Sequence, residues 1–482
     1  MPDRAGLPSA GDLVVAAGAG VTGLPVVRYL AGIGARVVVT SDRAAPPGLA
    51  AVPGDVRFAG DLAGPPDGTT MIVTSAGLRP THPLLRAAAD RGIEVIGEVE
   101  LAWRLDQHDP QGRPPRPWLV VTGTNGKTTT TGMLESILRA AHRTVRACGN
   151  IGWPVIEAVT ATPRQEVIAV ELSSFQLHWA PSLRPAAGVV LNLAEDHLDW
   201  HGSMTAYAAD KARALSGQVA LAVVDDPGAA ALLAGSPARL SIPITAGPPG
   251  PGGLGVRDGM LIDRVRGNPV RDEFLSIGAD EVRPPGTHNV TNALAAAGLA
   301  LTVGVRAADV GDGLRAFEPG GHRNVLVGDY GGVRYVDDSK ATNPHAALAS
   351  LLAYRRVVWI AGGQLKGAAV DDLVTRIADR LAGVVLLGLD APVIESALSR
   401  HAPDVPTLVV LGKDDDVMLK VVTAAVTMAA PGDVVLLAPA AASLDMYSSY
   451  AARGDAFATA ARAVAGPVDA GEGLDPVGGQ AP

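Results

Sequence analysis

Short β-branched and apolar runs recur along the chain at Leu13-Val14-Val15, Val37-Val38-Val39, Met71-Ile72-Val73, Leu119-Val120-Val121, Val167-Ile168-Ala169-Val170 and Val189-Val190-Leu191. Most are followed by an Ala- and Leu-rich segment of helical length, and strands alternating with helices predict parallel sheets of the α/β class. The proline-rich segment Pro110-Gln111-Gly112-Arg113-Pro114-Pro115-Arg116-Pro117 can continue neither a helix nor a central strand, so it separates two strand-helix series. A third series starts after Phe317-Glu318-Pro319-Gly320-Gly321, with strands expected at Val325-Leu326-Val327, Val357-Val358-Trp359-Ile360, Val384-Val385-Leu386-Leu387 and Val434-Val435-Leu436-Leu437. The pattern predicts three domains, residues 1–113, 114–318 and 319–482. Gly247 to Gly255 reads as loop, the tail from Gly466 onward as frayed, and no solenoid repeat is seen.

Composition narrows the classes. Apolar residues make up 48% and charged residues 18%, ample for buried cores, and 482 residues suit several domains rather than one. A net charge of -9 opposes a polyanionic partner, so nucleic acid is not expected. The single cysteine, Cys148, permits no internal disulfide and no cysteine-based zinc site, which suits a reducing cytoplasm. The longest apolar stretches, such as Ala293 to Val305, fall short of the roughly 20 residues of a membrane helix, and the first twelve residues lack a basic segment before an apolar core. Neither membrane insertion nor export is expected.

The segment Leu119-Val120-Val121-Thr122-Gly123-Thr124-Asn125-Gly126-Lys127-Thr128-Thr129 runs from a strand through a glycine turn into a helix starting near Lys127. Backbone N–H groups and a helix N-terminus then converge where a phosphate can bind. In a phosphate loop Lys127 would reach the β- and γ-phosphates and Thr128 would ligate magnesium. Val121 stands where the common phosphate-loop pattern has its first glycine, and an ordinary turn carrying a solvated lysine is the competing reading. Two later strand ends carry candidate metal ligands: Glu171, ahead of Leu172-Ser173-Ser174-Phe175-Gln176, and the run Asn192-Leu193-Ala194-Glu195-Asp196-His197-Leu198-Asp199. Taken singly, these could be a surface carboxylate, a solvated helix start and a structural histidine. Near the N-terminus, Gly18-Ala19-Gly20-Val21-Thr22-Gly23 follows a strand with Asp42 about 20 residues on, which reads as a dinucleotide site or as a plain tight turn.

The motifs T-G-T-N-G-K-T, E-L-S-S-F-Q, N-L-x-x-D-H-L-D, G-x-H-N-x-x-N and D-D-S-K-A-T-N resemble those of the Mur ligases, cytoplasmic ATP-dependent enzymes that build the peptide stem of peptidoglycan. The resemblance implies an N-terminal Rossmann-like domain for a uridine nucleotide, a central ATPase-like parallel sheet and a C-terminal Rossmann-like domain for the incoming amino acid. The G-x-G-x-T-G form, Ser41-Asp42-Arg43, Thr74-Ser75-Ala76-Gly77 and the end motif from Ala442 to Phe457 are similar to the branch that adds D-glutamate to UDP-N-acetylmuramoyl-L-alanine. A folylpolyglutamate synthetase would share the central motifs but bind a pterin. An NAD-dependent dehydrogenase would leave the phosphate loop unexplained, and a non-catalytic nucleotide-binding scaffold would need no second metal cluster.

Carried over residue by residue, the resemblance implies ATP contacts from Gly123, Thr124, Asn125, Gly126, Lys127, Thr128 and Thr129, with adenine read by Asn289 and Asn292, otherwise helix caps. Arg323 and Asp338 would close on the phosphates and ribose, with Lys340 in support. Two magnesium ions are implied, one held by Thr128 and Glu171 and one by His197 with Lys211, the latter as a carbamate; by itself Lys211 reads as a solvated helix residue. Gly20, Val21, Thr22, Asp42, Arg43, Ser75, Gly77, Asn150 and Ser173 would hold the uridine substrate, Asn150 close to the reacting acyl group. Thr342, Lys366, Ser443, Leu444 and Tyr450 would line the D-glutamate site, unless they are a solvated lysine, helix caps and a core tyrosine. Gln364 stands where the family often has aspartate, so no acidic role is implied there. A monomer is expected.

Overall fold

The computed structural model describes residues 6–18, 20, 22–109, 111–265, 273–412 and 416–466. The tail expected to fray lies, beyond Gly466 itself, outside them. The chain divides into two compact units. The first reaches Arg283 and resumes over Thr287–Glu318; the second holds Pro284–Gly286 and begins again at Pro319.

The first unit contains two sheets. One is wholly parallel, in the order Val56–Phe58, Arg36–Thr40, Leu13–Ala17, Thr69–Thr74, Glu94–Gly97. Its chain path reverses at Leu13–Ala17, and the N-terminal glycine motif leaves that strand, where open α/β sheets keep their ligand crevice. The other runs Cys148–Gly149, Ile168–Glu171, Trp118–Thr122, Ala187–Val190, Val219–Val223, Leu240–Ile244 in parallel. Here the reversal falls at Trp118–Thr122, so Glu171 and the run from Asn192 leave the two strands that flank the phosphate-loop strand.

Residues of Trp118–Thr122 alternate between two cores, as the two-residue period of a strand requires. Trp118 and Val120 join a cluster with Val14, Leu101 and Trp103, which makes one core of the inner faces of both sheets. Leu119 and Val121 pack instead with Leu134 of helix Lys127–Ala140 and Leu294 of helix Thr287–Thr302. Each such fully buried side chain contributes about 1.5 to 3 kcal/mol of burial free energy.

The C-terminal unit carries the third sheet, in the order Val325–Tyr330, Val333–Asp337, Val434–Leu437, Val357–Gly362, Leu381–Leu387, Thr407–Val409. Two expectations need correction. Val325–Tyr330 is not followed by a helix but pairs antiparallel with Val333–Asp337, because Gly331 and Gly332, both at positive φ, close a tight hairpin. The loop expected over residues 247–255 ends earlier, at strand Leu254–Arg257, which opens an antiparallel extension with Met260–Asp263 and Glu273–Gly278. The central sheet is therefore mixed.

Candidate active site

Helix Lys127–Ala140 begins at the lysine, with Gly126 as its N-cap at φ 82°. A Cβ on Gly126 would come within 2.6 Å of the Asn292 side-chain oxygen, so glycine satisfies both the left-handed turn and the close approach. The loop is tied to the neighbouring strand end. Asn125 N–H donates to Asn192 Oδ1 at 2.8 Å, Asn192 Nδ2 donates to Asn125 C=O at 3.2 Å, and Ala194 N–H donates to Thr124 Oγ1 at 3.0 Å. Lys127 Nζ donates to the Gly123 and Thr124 carbonyls at 3.0 and 2.7 Å. Thr128 and Thr129 are half-buried in the first helical turn. Asn289 and Asn292 are buried inside helix Thr287–Thr302 and hydrogen-bond each other at 3.1 Å, so neither is that helix's cap.

Lys211, on helix Met204–Ala212, is not the solvated residue its local sequence suggested. It is 1% exposed and donates to the Gly123 carbonyl at 2.6 Å. Burial, then the neighbouring Lys127 charge, hold its ammonium well below the usual lysine range, while Asp196 and Glu171 act the other way. Glu171 is 1% exposed; its Oε1 accepts from Asn150 Nδ2 at 2.8 Å and its Oε2 has no hydrogen-bond partner. A Cβ on Gly149 would strike the Glu171 carbonyl oxygen at 2.2 Å, which is why this turn can lay Asn150 against Glu171. His197 has a left-handed backbone, and burial pulls its pKa down against the opposing charge of Asp196. Lys127, Lys211, Glu171 and His197 thus stand within one electrostatic neighbourhood. Among the described residues no cluster of three or more His, Cys, Asp or Glu could hold a metal by itself.

A cavity of about 370 Å³ opens between the two sheets of this unit. Of the residues expected at the uridine substrate, Thr22, Ser75, Gly77, Asn150 and Ser173 line it. Gly20, Asp42 and Arg43 are exposed and do not line it, and Val21 lies outside the described residues. Ser173 caps helix Ser174–His178 in a reciprocal box with Gln176, a pattern the S-x-x-Q spacing could have revealed. Phe175 joins the cavity to His197, with ring centroids 4.8 Å apart, and stacks on His201 at 5.3 Å. Glu98, unanticipated from sequence, also lines the cavity; it accepts from Ile156 N–H at 2.7 Å, and burial pushes its carboxyl up to about 7. Behind Phe175, Asp210 holds His178 and His201 at 3.0 and 3.1 Å.

In the C-terminal unit three loops leave the carboxyl ends of Val333–Asp337, Val357–Gly362 and Val434–Leu437. Buried Arg453 gathers them. It donates to Ser339 Oγ at 3.0 Å, Ser339 C=O at 2.9 Å, Ala441 C=O at 3.1 Å and Gly362 C=O at 3.3 Å. Around it, Gln364 and Ala442 exchange backbone hydrogen bonds at 2.8 and 2.9 Å. Ser443 is buried, Thr342 half-buried, Leu444 and Lys366 exposed, Lys366 with a left-handed backbone. Neither Ser443 nor Thr342 caps the helix Tyr450–Ala465; Ser449 does. The Tyr450 ring is half-buried, under Lys340 Nζ at 4.0 Å. Asp338, whose carboxyl burial pushes to about 6, accepts from Asn324 N–H at 3.2 Å beside Arg323.

Three family descriptions match in order: Mur ligase MurD-like N-terminal domain over residues 12–97, Mur ligase middle domain over 121–300, and Mur ligase glutamate ligase domain over 322–441. Proteins named UDP-N-acetylmuramoylalanine–D-glutamate ligase are similar over nearly all the chain. The one from Mycolicibacterium smegmatis is 51% identical across 95% of this chain and 97% of its own, and that from Streptomyces coelicolor 51% across 94% and 98%. Solved structures share the fold at low identity. The pseudomurein peptide ligase type C of Methanothermus fervidus has 18% identity and TM-score 0.55 over 89% of this chain and 96% of that one. The UDP-N-acetylmuramate-alanine ligase of Thermotoga maritima has 16% and 0.55 over 94% and 99%. Among the described residues no helix is long and apolar enough to cross a membrane. With three domain matches in sequence and half-identity to relatives along 94% or more of its length, the chain belongs to the Mur ligase family.

Proposed function

We infer that this chain is the ligase that joins D-glutamate to UDP-N-acetylmuramoyl-L-alanine, converting ATP to ADP and phosphate, in the cytoplasm. The observation that carries this is the near-full-length similarity to enzymes of that name, together with a MurD-like rather than pterin-suited N-terminal domain. The substrate carboxylate attacks the γ-phosphorus and ADP leaves; the D-glutamate amine then attacks the acyl carbon, phosphate leaves and a proton is released. Phosphoryl transfer of this kind is positioning and electrostatic work. Lys127, with the N–H groups of Gly123 to Thr129, holds the phosphates, and Asn289 with Asn292 holds adenine. The cavity lined by Thr22, Ser75, Gly77, Asn150 and Ser173 takes part of the uridine substrate, with Gly20, Asp42 and Arg43 on its approach. Thr342, Lys366, Ser443, Leu444 and Tyr450 receive D-glutamate, while Arg323 and Asp338 serve ATP.

Magnesium fits the donor set: Glu171 offers a buried oxygen without a partner, and Thr128 and His197 offer a hydroxyl and an imidazole. When bound, the ions would offset charge on the transferring phosphoryl group. We further propose that Lys211 works as a carbamate. A buried amine adjacent to a second lysine favours its neutral form, which adds to CO₂ with loss of one proton and so gains hard oxygen donors.

Phosphate release from ATP, measured with UDP-N-acetylmuramoyl-L-alanine and a panel of D- and L-amino acids, tests the reading. D-glutamate should support turnover alone; preference for another amino acid would overturn it. Lys211→Ala should be nearly inactive and partly restored by acetate, and an unmodified Lys211 by mass spectrometry in an active, bicarbonate-supplied preparation would refute the carbamate.

A further inference from the structure

A second cavity of the first unit lies away from the residues above, at the amino ends of its two central strands. It holds about 590 Å³, within the roughly 300 to 1,000 Å³ of small-molecule sites. The segment before strand Leu13–Ala17, the end of helix Gly23–Gly32, the proline-rich linker and the loop after helix Val155–Thr160 enclose it. One wall is apolar, built from Tyr29, Ile33, Leu105 and Val159. A second part of the lining forms a cationic wall.

Arg113, Arg116 and Arg164 line that wall, opposed by Asp109 in the lining and by Asp106 behind it. Three guanidinium charges against two carboxylates leave one positive charge over. Arg116 is 6% exposed; its Nε donates to Asp106 Oδ1 at 2.6 Å and its Nη2 to the Val159 carbonyl at 3.0 Å, but its Nη1 has no partner. Arg164 Nη2 donates to the Pro114 carbonyl at 2.8 Å, while its buried Nε also lacks one. Both of these nitrogens are closed off from the open volume, so each guanidinium is short of one buried acceptor and meets the cavity only through its remaining edge. Burial destabilises the Arg116 cation, the charge and hydrogen bond of Asp106 oppose this, and the charges of Arg164 and Arg113 add a smaller repulsion that an anion would relieve.

We propose that this cavity is a binding site for a small carboxylate with an apolar body, its carboxylate taken by the arginine wall and its body laid against Tyr29, Ile33, Leu105 and Val159. A single excess charge suits a monoanion better than a dianionic phosphate monoester. Occupancy would tie the N-terminal sheet's helix to the loop that precedes strand Ile168–Glu171, so ligand binding stabilises the folded unit by mass action.

The test is calorimetric titration of the full-length protein with 2-naphthoate, 2-naphthyl phosphate and neutral 2-naphthamide at constant ionic strength, paired with thermal unfolding. 2-Naphthoate should bind and raise Tm, the phosphate more weakly, the amide not measurably. Arg164→Gln should weaken naphthoate by about tenfold or more, the loss of one charge-assisted contact. Because that variant also disturbs the Asp106 pairing, Ala161→Phe provides a second route: it fills the cavity without removing charge, and should abolish binding while ligase turnover without the probe stays at the wild-type level. No naphthoate binding at millimolar concentration, tighter binding of the phosphate, or unchanged affinity in both variants would overturn the assignment.

Discussion

Lys127 and Lys211 point their amines into the backbone of the phosphate loop, sharing the Gly123 carbonyl at 3.0 and 2.6 Å, whereas Lys366 of the C-terminal unit stands exposed on a left-handed loop residue. Around the first pair nearly everything is fixed before a ligand arrives: the half-buried loop, the buried Glu171 carboxylate and the buried Asn289 and Asn292 amides are all held by hydrogen bonds. In the second region rigidity lies one layer down, in Arg453, and of the side chains proposed for the amino acid Lys366 and Leu444 are exposed while Ser443 is buried. A site that must stabilise a fleeting charge gains from preorganisation, because reorganising dipoles during the reaction would cost part of the barrier reduction. A site that must choose among amino acids needs correct contacts only once the ligand is in place.

The sharpest way to break this contrast is Lys127→Ala. The loop N–H groups remain, but the charge proposed to face the γ-phosphate is gone, and turnover should fall at least about a hundredfold. Circular dichroism and thermal unfolding should show an intact fold. Turnover near wild type would remove Lys127 from the phosphates.

Glu98 sharpens the comparison through pH. Its carboxyl titrates near 7 in the fold against 4.5 unfolded, with desolvation the main cause. Between these values the folded state binds the proton more tightly, so this residue makes stability fall as pH rises from 4.5 to 7. Glu98→Gln removes the titration. Wild type and variant should match near pH 4.5, and the variant should lead by about 3 kcal/mol above pH 7, read from urea unfolding. A pH-independent difference would mean the carboxyl is not desolvated.

For the second region, Arg453→Met strips three backbone carbonyls and the Ser339 hydroxyl of their donor. Each buried acceptor left unsatisfied costs on the order of 1 to 3 kcal/mol, and because the loops can relax we expect a net loss of at least about 2 kcal/mol. Arg453→Lys should recover only part of it, since an ammonium lacks the planar fork. Stability within error of wild type would show that the loops do not depend on this residue.

What could be read from sequence tracks how local the signal is. The phosphate loop, Glu171 and the run from Asn192 each lie at the end of an apolar strand, and short-range pattern was enough to put them on strand ends. Arg453 stands out in the sequence only as part of the end motif, because its partners lie 12, 91 and 114 residues away and no periodicity records them. The same holds for Lys211, whose immediate neighbours describe a solvated helix although the fold buries it, and for Glu98, whose partner is Ile156. The hairpin Val325–Tyr330 with Val333–Asp337 is hidden for a different reason: its apolar run resembles a parallel strand, and only Gly331-Gly332 marks the turn.

Lys366→Ala carries the smallest expected effect and tests the exposed half of the comparison most directly. Losing a charged hydrogen-bond partner of a carboxylate forfeits about 1.5 to 3 kcal/mol, so the KM for D-glutamate should rise tenfold or somewhat more. Exposure of the lysine in the free protein places the outcome toward the lower end, since solvent screens the pair unless the ligand excludes it. The first half-reaction should be nearly untouched, because acyl phosphate forms before the amine is needed. Trapping that intermediate with hydroxylamine in the absence of D-glutamate separates the two steps. An equal loss in both would put Lys366 at the phosphates and make the two regions alike, and an unchanged D-glutamate KM would take it out of amino-acid recognition.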